Sequence, residues 1–119
     1  MSDMVSADKE GMATELRRGT LEYCVLALLS KEPRYGFDLV RALGQVDGLV
    51  TSEGTIYPLL SRLRRDGLVK TSWKESTSGP PRRYYELTPA GKRALEEFKG
   101  EWDRFTRAVG RLLKSGRKS

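Results

Sequence analysis

The chain contains no histidine and a single cysteine, Cys24, among 119 residues. Without histidine it lacks the commonest general base and cannot form a Cys/His metal cluster. One cysteine cannot close an intramolecular disulfide. Seated among leucines, Cys24 reads as a small buried residue rather than a redox sensor. Long apolar runs are also missing. The longest aliphatic stretch is Val25–Leu29, far short of the ~20 residues that cross a bilayer. The opening MSDMVSADKEGM is polar and acidic, without the apolar region of a signal peptide. These gaps remove most hydrolase, zinc and redox chemistry. They predict no metal site, no catalytic residue and no cofactor, which makes an enzyme the weakest class.

What remains is the composition of a small folded domain: 38% hydrophobic and 32% charged residues, too apolar for general disorder. The length allows one domain, or a small domain plus an appended helix, with only about 65% of the unfolded chain's surface hidden on folding. The net charge is +6 and is unevenly spread. Residues 1–13 set Lys9 against Asp3, Asp8 and Glu10. Residues 53–86 set Arg62, Arg64, Arg65, Lys70, Lys74, Arg82 and Arg83 against four acids, and residues 89–119 set nine cations against four acids. A basic surface of this kind suits a polyanion, most often a nucleic acid.

Residues 1–13 have no periodicity and read as a flexible tail. From about Glu15 to Lys31, Leu21, Val25, Leu28 and Leu29 fall on one helical face, and Pro33 ends that helix. A second helix is expected from Tyr35 to Leu43 with Phe37, Val40 and Leu43, or Leu39, inward. A third is expected over Ser52–Asp66, with Ile56, Leu59, Leu60 and Leu63 on one stripe and Gly67 as its stop. Pro58 is tolerable where its missing N–H costs nothing, which favours a helix start near Gly54 or Thr55. The period then shortens. Leu68–Glu75 and Arg82–Thr88 read as strands around a six-residue loop, Ser76–Pro81, and Thr88–Pro89 reads as the cap of a last helix reaching Lys114. The expected fold is mainly α with a β-hairpin, a winged helix-turn-helix over 14–88 followed by a long C-terminal dimerisation helix over 89–114, with a tail at 115–119.

At about 100° per residue, the third helix turns Gly54, Pro58, Ser61 and Arg65 away from its apolar stripe, flanked by Tyr57, Arg62 and Arg64. Arginines there can grip phosphate or a guanine edge, and Tyr57 offers a flat body and a hydroxyl. Three arginines can equally be a solvated face. Lys74, Arg82 and Arg83 around the wing loop make a second basic element in the order a groove contact requires. Trp73, Tyr84 and Tyr85 read as hairpin core.

Leu95, Phe98, Trp102, Phe105, Val109 and Leu112 repeat at alternating spacings of three and four, a heptad seam. At roughly 1.5–3 kcal/mol per buried large side chain, such a seam can offset an association cost of about 4–15 kcal/mol. A helix of this length spans ~39 Å, more than one small domain needs, so a dimer interface is favoured over a fold-back. Phe98 and Trp102 sit mid-seam. Paired across a two-fold axis they can sandwich a flat apolar ligand, or simply pack the interface.

The segments LRRGTLEYCVLALL, RYGFDLV, TSEGTIYPLLSRLRRDGLV and GPPRRYYELTPAGKRAL resemble the PadR family of bacterial transcription regulators, over about residues 16–95. The resemblance implies a homodimeric, cytoplasmic and nucleoid-associated repressor that binds inverted repeats in double-stranded DNA near its own or a neighbouring gene. It also implies release by a small planar aromatic or phenolic effector, with Trp102 at the position of a drug-stacking tryptophan in some members. Carried over residue by residue, the DNA-facing positions are Tyr35, Ser52, Gly54, Thr55, Tyr57 and Arg62, with Arg82 and Arg83 in the wing. The competing expectation is a winged-helix adaptor that binds protein and not specific DNA.

Overall fold

The computed structural model describes residues 11–12, 14–46, 49, 52–76 and 79–115. The expected tails at 1–13 and 115–119 lie outside them, apart from Gly11 and Met12, which are helical, and Ser115, which ends the last helix. Four main helices, α1 (Leu21–Lys31), α2 (Gly36–Gly44), α3 (Glu53–Arg65) and α4 (Pro89–Ser115), accompany three strands, β1 (Arg34–Tyr35), β2 (Val69–Ser76) and β3 (Gly79–Leu87). The strands form one antiparallel sheet in the order β1–β3–β2.

The helix expected from Glu15 onward is two pieces. A helical turn over 14–17 stops at Gly19, whose φ of +82° leaves the right-handed helix region. The Thr20 hydroxyl donates to the carbonyls of Leu16 (3.2 Å) and Arg17 (2.9 Å), and α1 begins at Leu21. Its inner face is Leu21, Val25, Leu26 and Leu29, with Leu28 half-buried. Extended backbone at Glu32 before Pro33 ends it.

Tyr35 belongs to β1, where it pairs with Tyr84, and α2 starts one residue later than expected. Gly36, Leu39 and Leu43 then form the inner face, so Phe37 points outward and is 49% exposed. The stripe of α3 is as expected: Ile56, Leu59, Leu60 and Leu63 are all buried. This helix begins at Glu53, however, so Pro58 sits in its second turn and not its first. The carbonyl of Gly54, four residues back, loses its N–H partner. Gly54 is exposed, so water can take the place of that partner. At the other end Gly67 (φ +78°) closes a Schellman motif, with Leu68 N–H on Leu63 O at 2.9 Å and Gly67 N–H on Arg64 O at 3.0 Å.

The hairpin is tighter than a six-residue loop. β2 runs to Ser76 and β3 starts at Gly79, so Pro80 and Pro81 are strand residues. Proline is tolerated there because β1 reaches only Tyr84 and Tyr85 of β3, and because the β2–β3 register shifts between Lys74 and Ser76, which leaves Pro80 and Pro81 without a paired residue on β2. At the base of the wing Thr88 caps α4: its hydroxyl donates to Gly67 O (2.7 Å) and accepts the Gly91 N–H (3.0 Å). Gly91 is obligatory at this junction, since a Cβ would lie 2.1 Å from the Leu68 carbonyl oxygen. The core joins the four helices, β2 and β3 through Leu21, Val25, Leu26, Leu29, Leu39, Leu43, Ile56, Leu60, Leu63, Val69, Tyr85 and Leu95, and contains no buried polar or charged residue among those described.

Candidate nucleic-acid interface

Because its stripe is committed to the core, α3 presents Gly54, Pro58, Ser61 and Arg65 to solvent. Its two flanks differ. On the flank facing α1, Thr55, Pro58 and Arg62 border a groove of about 670 Å³ together with Ser52, Arg17 and Arg18. Ser52 and Thr55 hydroxyls stand 3.4 Å apart at the helix start. Arg62 reaches across to Glu22 of α1, Nη2 to Oε2 3.3 Å.

On the other flank, Tyr57 lies over the start of α2. A Cβ on Gly36 would come within 2.8 Å of the Tyr57 ring, so glycine is what lets the two helices close this far. A cleft of about 630 Å³ opens beside this contact, bordered by Tyr35, Gly36, Phe37, Asp38, Arg41, Tyr57, Arg82, Arg83 and Tyr85. Burial pushes the Tyr57 phenol above its ordinary pKa, and Glu53 adds to the rise. Burial raises Tyr85 too, with Tyr57 adding and Arg83 and Arg64 opposing. Both phenols are therefore neutral hydrogen-bond donors at neutral pH.

Arg82 and Arg83, read from the sequence as one basic pair, lie on opposite faces of the wing, as consecutive strand residues must. Arg82 sits over the Tyr35 ring at 5.7 Å and pairs across the hairpin with Lys74, whose Nζ is 4.5 Å from the Tyr84 ring. Tyr35 and Tyr84 meet edge to face at 5.0 Å. On the other face Arg83 donates to the Thr71 hydroxyl (3.0 Å) and lies 4.6 Å over Trp73. Trp73 is 63% exposed, so it is not the hairpin core residue expected. Tyr84 is half-buried, and Tyr85 alone of the three is buried. Each cation rests on an aromatic face that orients it without neutralising it.

The sequence profile of the Transcriptional regulator PadR-like family matches residues 25–97. The chain belongs to the PadR-like family of transcriptional regulators. It is similar to a transcriptional regulator of Mycobacterium tuberculosis, 34% identical over 95 residues that cover 80% of this chain and 87% of that protein. It is similar in structure to a PadR family transcriptional regulator from Eggerthella lenta, at a TM-score of 0.80 and 41% identity over 95% of each chain. A PadR-like transcriptional regulator from Bacillus cereus gives a TM-score of 0.76 at 39% identity, covering 84% of this chain and 97% of that one. These relatives are transcriptional regulators, not enzymes, and the winged helix-turn-helix reading of the chain stands with them.

In this PadR-like chain the seam of α4 divides in two. Leu95 is 3% exposed and belongs to the core of its own domain, so it is spent before any partner arrives. Phe98 stacks flat on Tyr23 of α1, centroids 4.1 Å apart and planes at 4°. Beyond it Trp102 (5.7 Å from Phe98) and Phe105 (6.5 Å from Trp102) continue the aromatic row, 44% and 62% exposed. Val109, Leu112 and Leu113 extend the exposed stripe. Among the described residues no helix is long and apolar enough to cross a membrane. Phe37 and Arg41, which stack at 5.9 Å on α2, border the cleft although neither was expected at the site. Their i, i+4 spacing was the available signal, obscured by placing Phe37 in the core.

Proposed function

We propose that this PadR-like regulator binds double-stranded DNA as a homodimer, reading an inverted repeat with α3 and the wing. It would repress its own or a neighbouring gene until a planar aromatic or phenolic effector releases it, and would work in the cytoplasm at the nucleoid. The observation that carries the DNA reading is the exposed face of α3, Gly54, Pro58, Ser61 and Arg65, flanked by Tyr57 and continued by wing cations held over aromatic rings. Glycine and serine allow close approach to a groove, Arg65 supplies a base-edge or phosphate contact, and Lys74, Arg82 and Arg83 supply phosphate contacts beside it. Tyr35, Ser52, Thr55 and Arg62 border this surface from both flanks.

The exposed stripe Trp102, Phe105, Val109, Leu112 and Leu113 supports the dimer. Apolar side chains aligned along several turns of one helix gain about 1.5–3 kcal/mol each when fully covered, and a second copy of the same stripe covers them symmetrically. Such a dimer offers two copies of α3 to half-sites about one DNA turn apart. The row Phe98–Trp102 supports the effector reading, since flat rings stacked in series accept another flat ring at the open face of Trp102. Selecting genomic fragments bound by the purified protein at two salt concentrations tests the proposal. A shared inverted repeat bound far above random DNA is the expected result. Sequence-blind binding erased by salt would leave the adaptor reading in its place.

A further inference from the structure

Of the ion pairs among the described residues, four join residues three or four apart: Arg18–Glu15, Lys99–Glu96, Arg104–Glu101 and Arg107–Asp103. The pair Arg62–Glu22 is different. It spans 40 residues of sequence and joins α1 to α3 at 3.3 Å. Glu22 is the more enclosed partner, its side chain 22% exposed against 51% for Arg62. It stands in the first turn of α1, where the helix dipole favours a fixed negative charge. A half-exposed pair of this kind adds little to stability, and the core beneath it is complete without it. Its position is informative instead, because the carboxylate lies in the groove bordered by Arg17, Arg18 and Arg62. The Arg17 side chain has no hydrogen-bond or ion-pair partner among the described residues.

We infer that Glu22 sets the strength and salt dependence of DNA binding, as a carboxylate that occupies Arg62 in place of a DNA phosphate and so weakens the grip on every duplex. The inference rests on the DNA-binding reading above. A backbone phosphate entering the groove has to take Arg62 from Glu22 and then sits beside an uncompensated carboxylate. Every duplex meets that opposition, whatever its sequence. Contacts made by the opposite part of α3 and by the wing do not meet it. Glu22 therefore lowers the common electrostatic part of the affinity for every duplex and leaves the sequence-reading part, and with it the ratio between the right site and random DNA, as it was.

The test is Glu22→Gln, which keeps the shape and removes the charge, measured by fluorescence anisotropy on a random-sequence duplex and on the selected duplex between 50 and 200 mM salt. The variant is expected to bind random DNA several-fold more tightly at low salt. Its slope of log affinity against log salt should steepen by about 0.9, the worth of one phosphate contact, which is a further three- to fourfold change across that salt range. The selected duplex gains by the same factor, so the selected-to-random ratio stays within about twofold of the wild-type value. In the Arg62→Gln background the same change at Glu22 leaves the slope unaltered. Random-DNA binding that is unchanged or weaker in Glu22→Gln overturns the inference, as does an equal gain without Arg62. If the wild-type protein binds neither duplex at 50 mM salt, the DNA-binding reading falls and the inference with it. If the wild type binds and Glu22→Gln matches it, only the inference falls.

Discussion

Helices α3 and α4 both carry an apolar stripe at helical spacing, yet the two stripes end differently. In α3 the stripe is covered from end to end, with Ile56, Leu60 and Leu63 fully buried under α1, α2 and the sheet. In α4 coverage stops at Phe98, in the third turn: Leu95 is in the core, Phe98 leans on Tyr23, and from Trp102 to Leu112, 74% exposed, the stripe faces outward. The difference is one of reach. A domain this small has enough surface to cover a helix of 13 residues and not one of 27. The excess apolar face is what a partner copy would cover, and the face α3 leaves outside is what DNA would meet.

Charging one stripe and truncating the other gives the sharpest contrast. Phe105→Asp combined with Leu112→Asp should leave a monomer in light scattering, with thermal melting of the winged domain unchanged. Affinity for an inverted repeat should fall by about 100-fold or more, as the gain from two linked contacts is lost. An intact dimer would move the interface elsewhere. Within the domain, Leu60→Ala should cost about 2–5 kcal/mol in denaturant unfolding. Gly91→Ala should cost about 1–3 kcal/mol, because its Cβ collides with the Leu68 carbonyl. A loss below 1 kcal/mol at Leu60 would mean that its stripe is less tightly covered than described.

Smaller effects separate the faces of the wing. Arg82→Ala and Arg83→Ala should each lower the salt slope of DNA binding by about 0.9 if both faces meet phosphate, and a residue whose removal leaves the slope alone is not in the interface. Trp102→Ala should abolish heat of binding for planar aromatics in calorimetry if the row on α4 is the effector site, and undiminished binding would place the ligand elsewhere. The smallest effect is in pH. The phenols of Tyr57 and Tyr85 are held above their ordinary pKa, so the fold favours their neutral forms. Their contribution is full below the ordinary tyrosine value of about 10 and is lost as pH rises through the higher folded values. Melting temperature should fall in that alkaline range, and less steeply in Tyr85→Phe.

Legibility in the sequence followed how local each feature is. The stripe of α3, the Thr88 cap and the seam spacing depend on neighbours three or four residues apart, and the chain shows them directly. The break at Gly19 and the two-residue strand at Arg34–Tyr35 do not, since β1 exists only because Tyr84 and Tyr85 arrive beside it. Trp73 read as core because it is large and apolar. It shares its strand face with buried Val69 and Tyr85, but it stands out in the wing beyond the core, where Arg83 lies over it instead. Leu95 read as interface because the heptad includes it, but a heptad says only that a helix has an apolar face, not which body covers each part. The pairing of Glu22 with Arg62 joins segments 40 residues apart and has no sequence signature.

The most direct test of the account is the mass of the complex between the purified chain and its selected duplex, measured by light scattering or sedimentation. Two chains of 13.4 kDa per inverted repeat are expected. One chain per duplex, or two chains bound without regard to the repeat, would contradict it.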